Sequence, residues 1–333
     1  MKIFSSEKIG QLSIKNRIVM APMCMYASDK NGNVQLFHLT HYTTRAYGGV
    51  GLIIQEATAI SKNARITGND LGIWDDYHIE GLKTIVDSVH MAGALIGIQL
   101  GHAGRKCGVK DAEFIVAPSP VAYSDHYQTP KELSIEEIKQ IVTDFKDAAI
   151  RAQKAGYDVI ELHGAHGYLI NQFLSPLCNK RSDIYGGTLE NRARFLVEVV
   201  DAVREVYSGP LVVRLSAVEF ALGGHEIEDT LKVLSLIKDK IDAVDVSAGG
   251  VVSVRPQVFK GYQIPYAEAI KKAGFKVIGG GLINDSEYIE QILVEDKVDF
   301  VFLGRELLLN PYFVIRLAQK EAPEWMLKPY ERG

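Results

Sequence analysis

Within six residues the sequence sets His163, His166 and Tyr168, in the run HGAHGY that ends the apolar stretch DVIELH (158–163). A β-branched apolar run that stops in glycine and histidine reads as a buried strand emptying into a polar loop. Two imidazoles three apart, with a phenol two residues on, supply two hydrogen-bond donors and one weak acid. Such a set could hold a carbonyl oxygen and protonate a carbon beside it. A histidine at a strand end is also commonly just a satisfied polar residue, and paired histidines can instead hold a metal. The spacing lacks the glutamate of H-E-x-x-H, however, and Gly164 and Gly167 oppose the helix that motif needs.

Eight short apolar runs could present such residues: 17–23, 51–57, 94–100, 158–163, 211–216, 243–249, 276–281 and 300–305. Segments of helical period separate them. Ser134 with Glu137 forms a capping box, Thr188 precedes Glu190 and Asn191, and Gly93, Gly156 and Gly274 stand where helices should stop. Eight strand-helix units predict an α/β fold, a (β/α)8 TIM barrel forming a single domain over 1–333. The rival doubly wound sheet lacks a G-x-G-x-x-G opening a helix after any of these strands. The residues before Ile18 are expected to form a hairpin closing the barrel bottom. The non-periodic insertion 102–133, which contains APSPVAYS, is expected to be a lid after the third strand.

In a barrel the chemistry lies at the carboxyl ends of the strands. Those ends carry Pro22 to Tyr26, Glu56 and Ala57, Gln99, the two histidines with Tyr168, Arg214, Ser247, Gly279 to Gly281, and Gly304 with Arg305. Glycines after the seventh strand and Gly-Arg after the eighth expose backbone N–H groups and a guanidinium where barrels commonly hold phosphate, although a glycine triplet can equally mark a tight turn. Arg214 and Gln99 would suit an electron-rich heterocycle at the mouth, with a buried ion pair as the alternative for Arg214. Cys24 beside Tyr26 suits either a small buried hydrophobe or a group that tunes a redox centre.

With 47% hydrophobic and 23% charged residues and a net charge of −4, the composition is that of a globular enzyme and offers no basic field for nucleic acid or an anionic membrane. Three widely spaced cysteines, Cys24, Cys107 and Cys178, argue against a disulfide framework. No stretch has the apolar length of a signal peptide or a membrane span, so a cytoplasmic location is expected.

IKNRIVMAPMCMY, FHLTHY, GLIIQEA, IGIQLGHAGRK, HGAHGYLINQFLSP, YGGTLENRARF, FLGRELLLNP and the final YERG together resemble the Old Yellow Enzyme family of flavin-dependent ene-reductases, in its bacterial NADPH dehydrogenase branch. The resemblance covers nearly the whole chain. It implies noncovalent FMN at the barrel mouth and NADPH or NADH as reductant. Ala21, Pro22, Met23 and Cys24 would lie along the flavin, Ala57, Gln99 and Arg214 would contact its ring, and Gly280, Gly281, Gly304 and Arg305 would hold its phosphate. His163 and His166 would bind the substrate carbonyl oxygen, Tyr168 would donate the proton, Cys24 would assist catalysis and Tyr26 would line the substrate pocket. Arg332 in the terminal segment would enter a neighbouring subunit's site, implying a homodimer or homotetramer. Enones, quinones and nitro compounds are the substrates implied. The chain departs from the branch in reading HGAH for HAAH and GHAGRK for AHAGRK, changes that should enlarge the pocket.

Two readings from outside this class remain. A phosphosugar lyase or isomerase would use the same glycines, but needs a Schiff-base lysine or a metal, and the only lysine in the eight runs, Lys276, sits at the wrong end of its strand. A flavin-storage protein would share the cofactor and lack turnover.

Overall fold

Burial on both faces makes a parallel strand apolar throughout, which is why the eight runs stand out. The structure, a computed structural model, describes residues 1–109, 112, 114–254 and 256–332. The runs form strands β1 (Ile18–Met20), β2 (Leu52–Ala59), β3 (Leu95–Gly101), β4 (Val159–Gly164), β5 (Leu211–Ser216), β6 (Ala243–Ser247), β7 (Val277–Gly279) and β8 (Phe300–Leu303). Each pairs in parallel with its successor, and β8 pairs with β1 to close the barrel. A register shift between Gln55 and Thr58 interrupts the β2–β3 ladder, so that the end of β2 is locally re-aimed at Glu56 and Ala57.

Helices α1 (Leu36–Tyr47), α2 (His78–Met91), α3 (Ile135–Ala155), α4 (Leu169–Leu174), α5 (Leu189–Arg204), α6 (Ile227–Ser235), α7 (Ile264–Lys272), α8 (Ser286–Val294), α9 (Arg305–Leu309) and α10 (Phe313–Glu321) complete the architecture. Their ends follow the local chemistry. Ser134 Oγ accepts from the Glu137 N–H at 3.2 Å while Glu137 accepts from the Ser134 N–H at 2.8 Å, and Gly156 ends α3 at φ +92°. The short α4 and α9 carry no capping side chain, and their sequences gave no periodic signal.

Two apolar shells result. Val19, Leu52, Ile54, Val159, Val212, Ala243, Ile278 and Phe300 fill the barrel interior, whereas Ile160, Leu162, Val213, Val244 and Val246 face the helices. By strict alternation, Glu161 and His163 on β4, Arg214 and Ser216 on β5, and Asp245 and Ser247 on β6 point inward above that apolar floor. The N-terminal hairpin, Glu7–Ile9 paired antiparallel with Leu12–Ile14, inserts the fully buried Ile9 and Ile14 into the same inner cluster and closes the opposite end.

The insertion 102–133 contributes a two-residue parallel ladder, Val116–Ala117 with Lys131–Glu132. Buried Arg105 donates to the carbonyls of Val121 at 3.0 Å and Ala122 at 3.3 Å and also to that of Val251, tying the insertion to the segment that follows β6.

Candidate active site

The strand ends surround a cavity of about 470 Å³, within the usual range of a small-molecule site. Ala21, Pro22 and Met23 from the end of β1, with the Phe302 ring, form its apolar side. Gly281, Gly304 and the exposed Arg305 lie at its other end. A Cβ on Gly280 would stand 2.6 Å from the Phe302 ring, and Gly281 holds φ +107° with its Cβ direction 3.0 Å from Tyr262, so both positions need glycine for close approach. The Arg214 guanidinium lies 5.2 Å from the centre of the Phe302 ring and faces the cavity. Its Nε is 3.3 Å from Asp245 Oδ2 but makes no hydrogen bond among the described residues. The buried ion pair and the cavity-facing cation are therefore the same residue.

A cavity with a flat apolar side, one cation within it and glycine backbone with a second cation at its end fits a heteroaromatic ring that carries a phosphate tail. Gln99 and Cys24 do not line it: Gln99 is buried and donates from Nε2 to Glu161 Oε1 at 2.7 Å. Cys24 is half-buried and hydrogen-bonds the Tyr26 side chain. Burial, then the nearby Asp70 and Glu56 carboxylates, push the Cys24 thiol up, so it is neutral at ordinary pH. Tyr26 is exposed and adopts φ +53°. The Met25 N–H beneath it is held by Glu56 Oε2 at 2.8 Å.

His163, His166 and Tyr168 come together as a cluster. The two imidazoles have their centroids 5.2 Å apart, and Tyr168 lies 5.0 Å from His163. His166 lines the large cavity, whereas His163 and Tyr168 border a void of about 10 Å³ together with Ala57 and His102, room for a single water. His166 holds left-handed backbone at φ +59°. Its N–H donates to Ser216 Oγ at 3.0 Å, and its Nε2 meets Ser247 Oγ at 2.6 Å. The Nδ1 of His163 is buried and meets no hydrogen-bond partner among the described residues. Burial first, then the Arg214 and Lys106 charges, hold both imidazoles well below their ordinary range, so both are neutral. Burial raises the Tyr168 phenol, which keeps its proton.

Lys106, Gln263 and Phe302 belong to this region and were missed from sequence. Gln263 donates to Ser247 Oγ at 3.1 Å, and Lys106 lies 4.5 Å from the Tyr123 ring centre. The inward alternation on β6 pointed to Ser247, but a lysine in the insertion and a glutamine beside α7 carry no local signal of their role. Arg332 is exposed near the C-terminus and does not line the cavity. Among the described residues no three His, Cys, Asp or Glu side chains converge as metal ligands would, and no helix is long and apolar enough to cross a membrane.

Residues 2–324 match the sequence profile of the NADH:flavin oxidoreductase / NADH oxidase family. The chain is 51% identical over 338 residues to an NADPH dehydrogenase of Clostridium acetobutylicum, spanning 100% of this chain and 99% of that protein. It is 50% identical over 315 residues to an NADPH dehydrogenase of Listeria welshimeri, covering 94% and 93% of the two. The solved structure of morphinone reductase superposes with a TM-score of 0.85 at 31% identity, over 96% of this chain and 90% of that one.

Proposed function

The chain belongs to the NADH:flavin oxidoreductase / NADH oxidase family and is an FMN-dependent oxidoreductase that takes electrons from NADPH or NADH; we propose that it delivers them to the activated C=C bond of α,β-unsaturated carbonyl compounds. The observation that carries this reading is the convergence of two neutral imidazoles and a protonated phenol beside a cavity suited to a flavin. The chemistry available with FMN bound is relay of a hydride from NADPH to the β-carbon of an electron-poor alkene.

This chain's own residues do the rest. Ala21, Pro22 and Met23 would lie along the flavin, Arg214 would meet its ring, and Gly281, Gly304 and Arg305 would hold its phosphate; Cys24, Ala57, Gln99 and Gly280, assigned to the same flavin by the family resemblance, lie outside the cavity lining. His163, through its unpartnered Nδ1, and His166 bind the acceptor's carbonyl oxygen, where enolate charge develops. Ser247 fixes the His166 ring from one side, and the Ser216 hydroxyl pins its backbone. Tyr168 gives its phenolic proton to the α-carbon, and Tyr26 borders the acceptor. The described part of the insertion 102–133, tied down by Arg105, would cover the site and exclude water from it.

The test is a visible absorption spectrum of the purified protein and of the supernatant after denaturation, followed by anaerobic reduction with NADPH and reoxidation by a cyclic enone. A yellow protein that releases FMN and is reoxidised with uptake of one enone per flavin is the expected outcome. A colourless protein that takes up no added FMN would overturn the reading, and a reduced flavin that no enone reoxidises would overturn the choice of acceptor. Arg332 is assigned to the acceptor site of a neighbouring subunit in a homodimer or homotetramer. Removing the last four residues should then raise the KM for the acceptor while flavin stays bound, and unchanged kinetics would refute that assignment.

A further inference from the structure

Two carboxylic side chains lie inside the barrel one layer below the polar mouth, and the mechanism above gives them nothing to do. Glu161 on β4 and Asp245 on β6 are fully buried and point into the same barrel layer, close enough for each to act on the other. Each also holds one of the residues assigned to the flavin ring. Glu161 Oε1 accepts from Gln99 Nε2 at 2.7 Å, and Asp245 Oδ2 lies 3.3 Å from Arg214 Nε. The second oxygen of each acid, Glu161 Oε2 and Asp245 Oδ1, is buried and meets no donor among the described residues.

An ionised carboxylate only accepts hydrogen bonds, so two of them cannot bond each other. With both ionised, the set would hold two negative charges against the single Arg214 cation in a dry interior, with two acceptors unsatisfied. One proton turns an unsatisfied acceptor into a donor aimed at the other acid and brings the three groups to neutrality, as in other paired-acid sites. Gln99 on β3 is uncharged, and His163 and His166 above are neutral. Arg214 on β5, with Lys106 further out, supplies the positive charge nearby.

We propose that Glu161 and Asp245 share one proton, carried on Glu161 and donated to Asp245, and that the pair, anchored by Gln99, is a positioning device that holds Arg214 toward the flavin ring. The part that concerns the flavin rests on the function proposed above. Burial raises both acids, Glu161 strongly, in keeping with a proton retained at neutral pH. When the proton leaves at alkaline pH, a net negative charge appears beneath the flavin and opposes its reduction. Glu161→Gln keeps the neutral donor and cannot lose it.

The experiment is infrared spectroscopy of the holoenzyme in H2O and D2O, with Glu161→Gln, Asp245→Asn and, as a control, Glu56→Gln. A protonated-carboxyl band that persists at neutral pH, shifts in D2O, disappears in Glu161→Gln, moves in Asp245→Asn and survives in Glu56→Gln is expected. No such band in the wild type, or one indifferent to both pair variants, overturns the shared proton. The wild-type flavin midpoint potential should fall more steeply at alkaline pH than that of Glu161→Gln, and equal slopes overturn the positioning role. The infrared bands do not depend on the acceptor, so failure of the ene-reductase reading leaves the test of the proton intact.

Discussion

Lys106 donates from Nζ to the carbonyl oxygen of His166 at 2.8 Å, and the same ammonium lies 5.0 Å from the centre of the Tyr168 ring. One cation thus steadies the left-handed backbone of one site residue while facing the acid of the next. Burial, then the neighbouring Arg105, pushes Lys106 down to about 8, so it is charged below that pH and neutral above it. Acceptor turnover should therefore decline as pH rises through about 8. Lys106→Met should lower the rate about tenfold or more, by misplacing His166, and flatten that alkaline decline. A pH profile of kcat/KM for the acceptor checks it; a variant with the wild-type alkaline limb would exclude Lys106 as its source.

Tyr168→Phe removes the proposed proton donor and leaves the lining of the proposed flavin cavity unaltered. Flavin reduction by NADPH should proceed at the wild-type rate, and reoxidation by the enone should slow by about 10²–10⁴. Rapid-mixing measurement of the two half-reactions separates them. Undiminished reoxidation would remove Tyr168 from proton transfer.

His163→Ala or His166→Ala should each lose about 3 kcal/mol of transition-state stabilisation, or 10²–10³ in reoxidation rate. Both imidazoles sit well below their ordinary value, so activity should show no inflection near pH 6.5 attributable to either. A wild-type inflection there that either variant abolishes would show that an imidazolium takes part.

Glu56 offers a stability prediction. Burial raises its carboxyl from 4.5 to about 7, even though the Met25 N–H and the Tyr42 hydroxyl donate to it. The folded state therefore binds a proton that the unfolded state has released. Its contribution is fully present below about 4.5 and is lost as pH rises through about 7. Glu56→Gln should remove that loss, so the variant's Tm relative to wild type should rise between mildly acidic and mildly alkaline pH. A difference in Tm that stays constant with pH would contradict the raised value.

Much of the barrel was legible because parallel strands buried on both faces leave long apolar runs, and because Ser134, Thr188 and Gly156 punctuate helices through side-chain and backbone chemistry that acts within a few residues. The histidine and tyrosine cluster was legible for the same reason: its members are close in sequence. Helices α4 and α9 were not, since five or six residues are too few to show a period. The Glu161 and Asp245 pair had a readable sign, an acid two residues before an inward-facing His163 or Ser247, but their meeting depends on the barrel's curvature. Lys106 closes the motif GHAGRK but its role was not legible, because its contacts cross from the insertion to the loop after β4 and the segment after β6.

The side chains that fill the barrel, with the hairpin that places Ile9 and Ile14 against them, leave the strand ends as the face on which the cavity opens. On the proposed function, a reductant and an acceptor that share that face must occupy it in turn, each leaving before the other arrives. Their steady-state rates should trace parallel lines in a double-reciprocal plot, and either reactant in excess should shut out its successor.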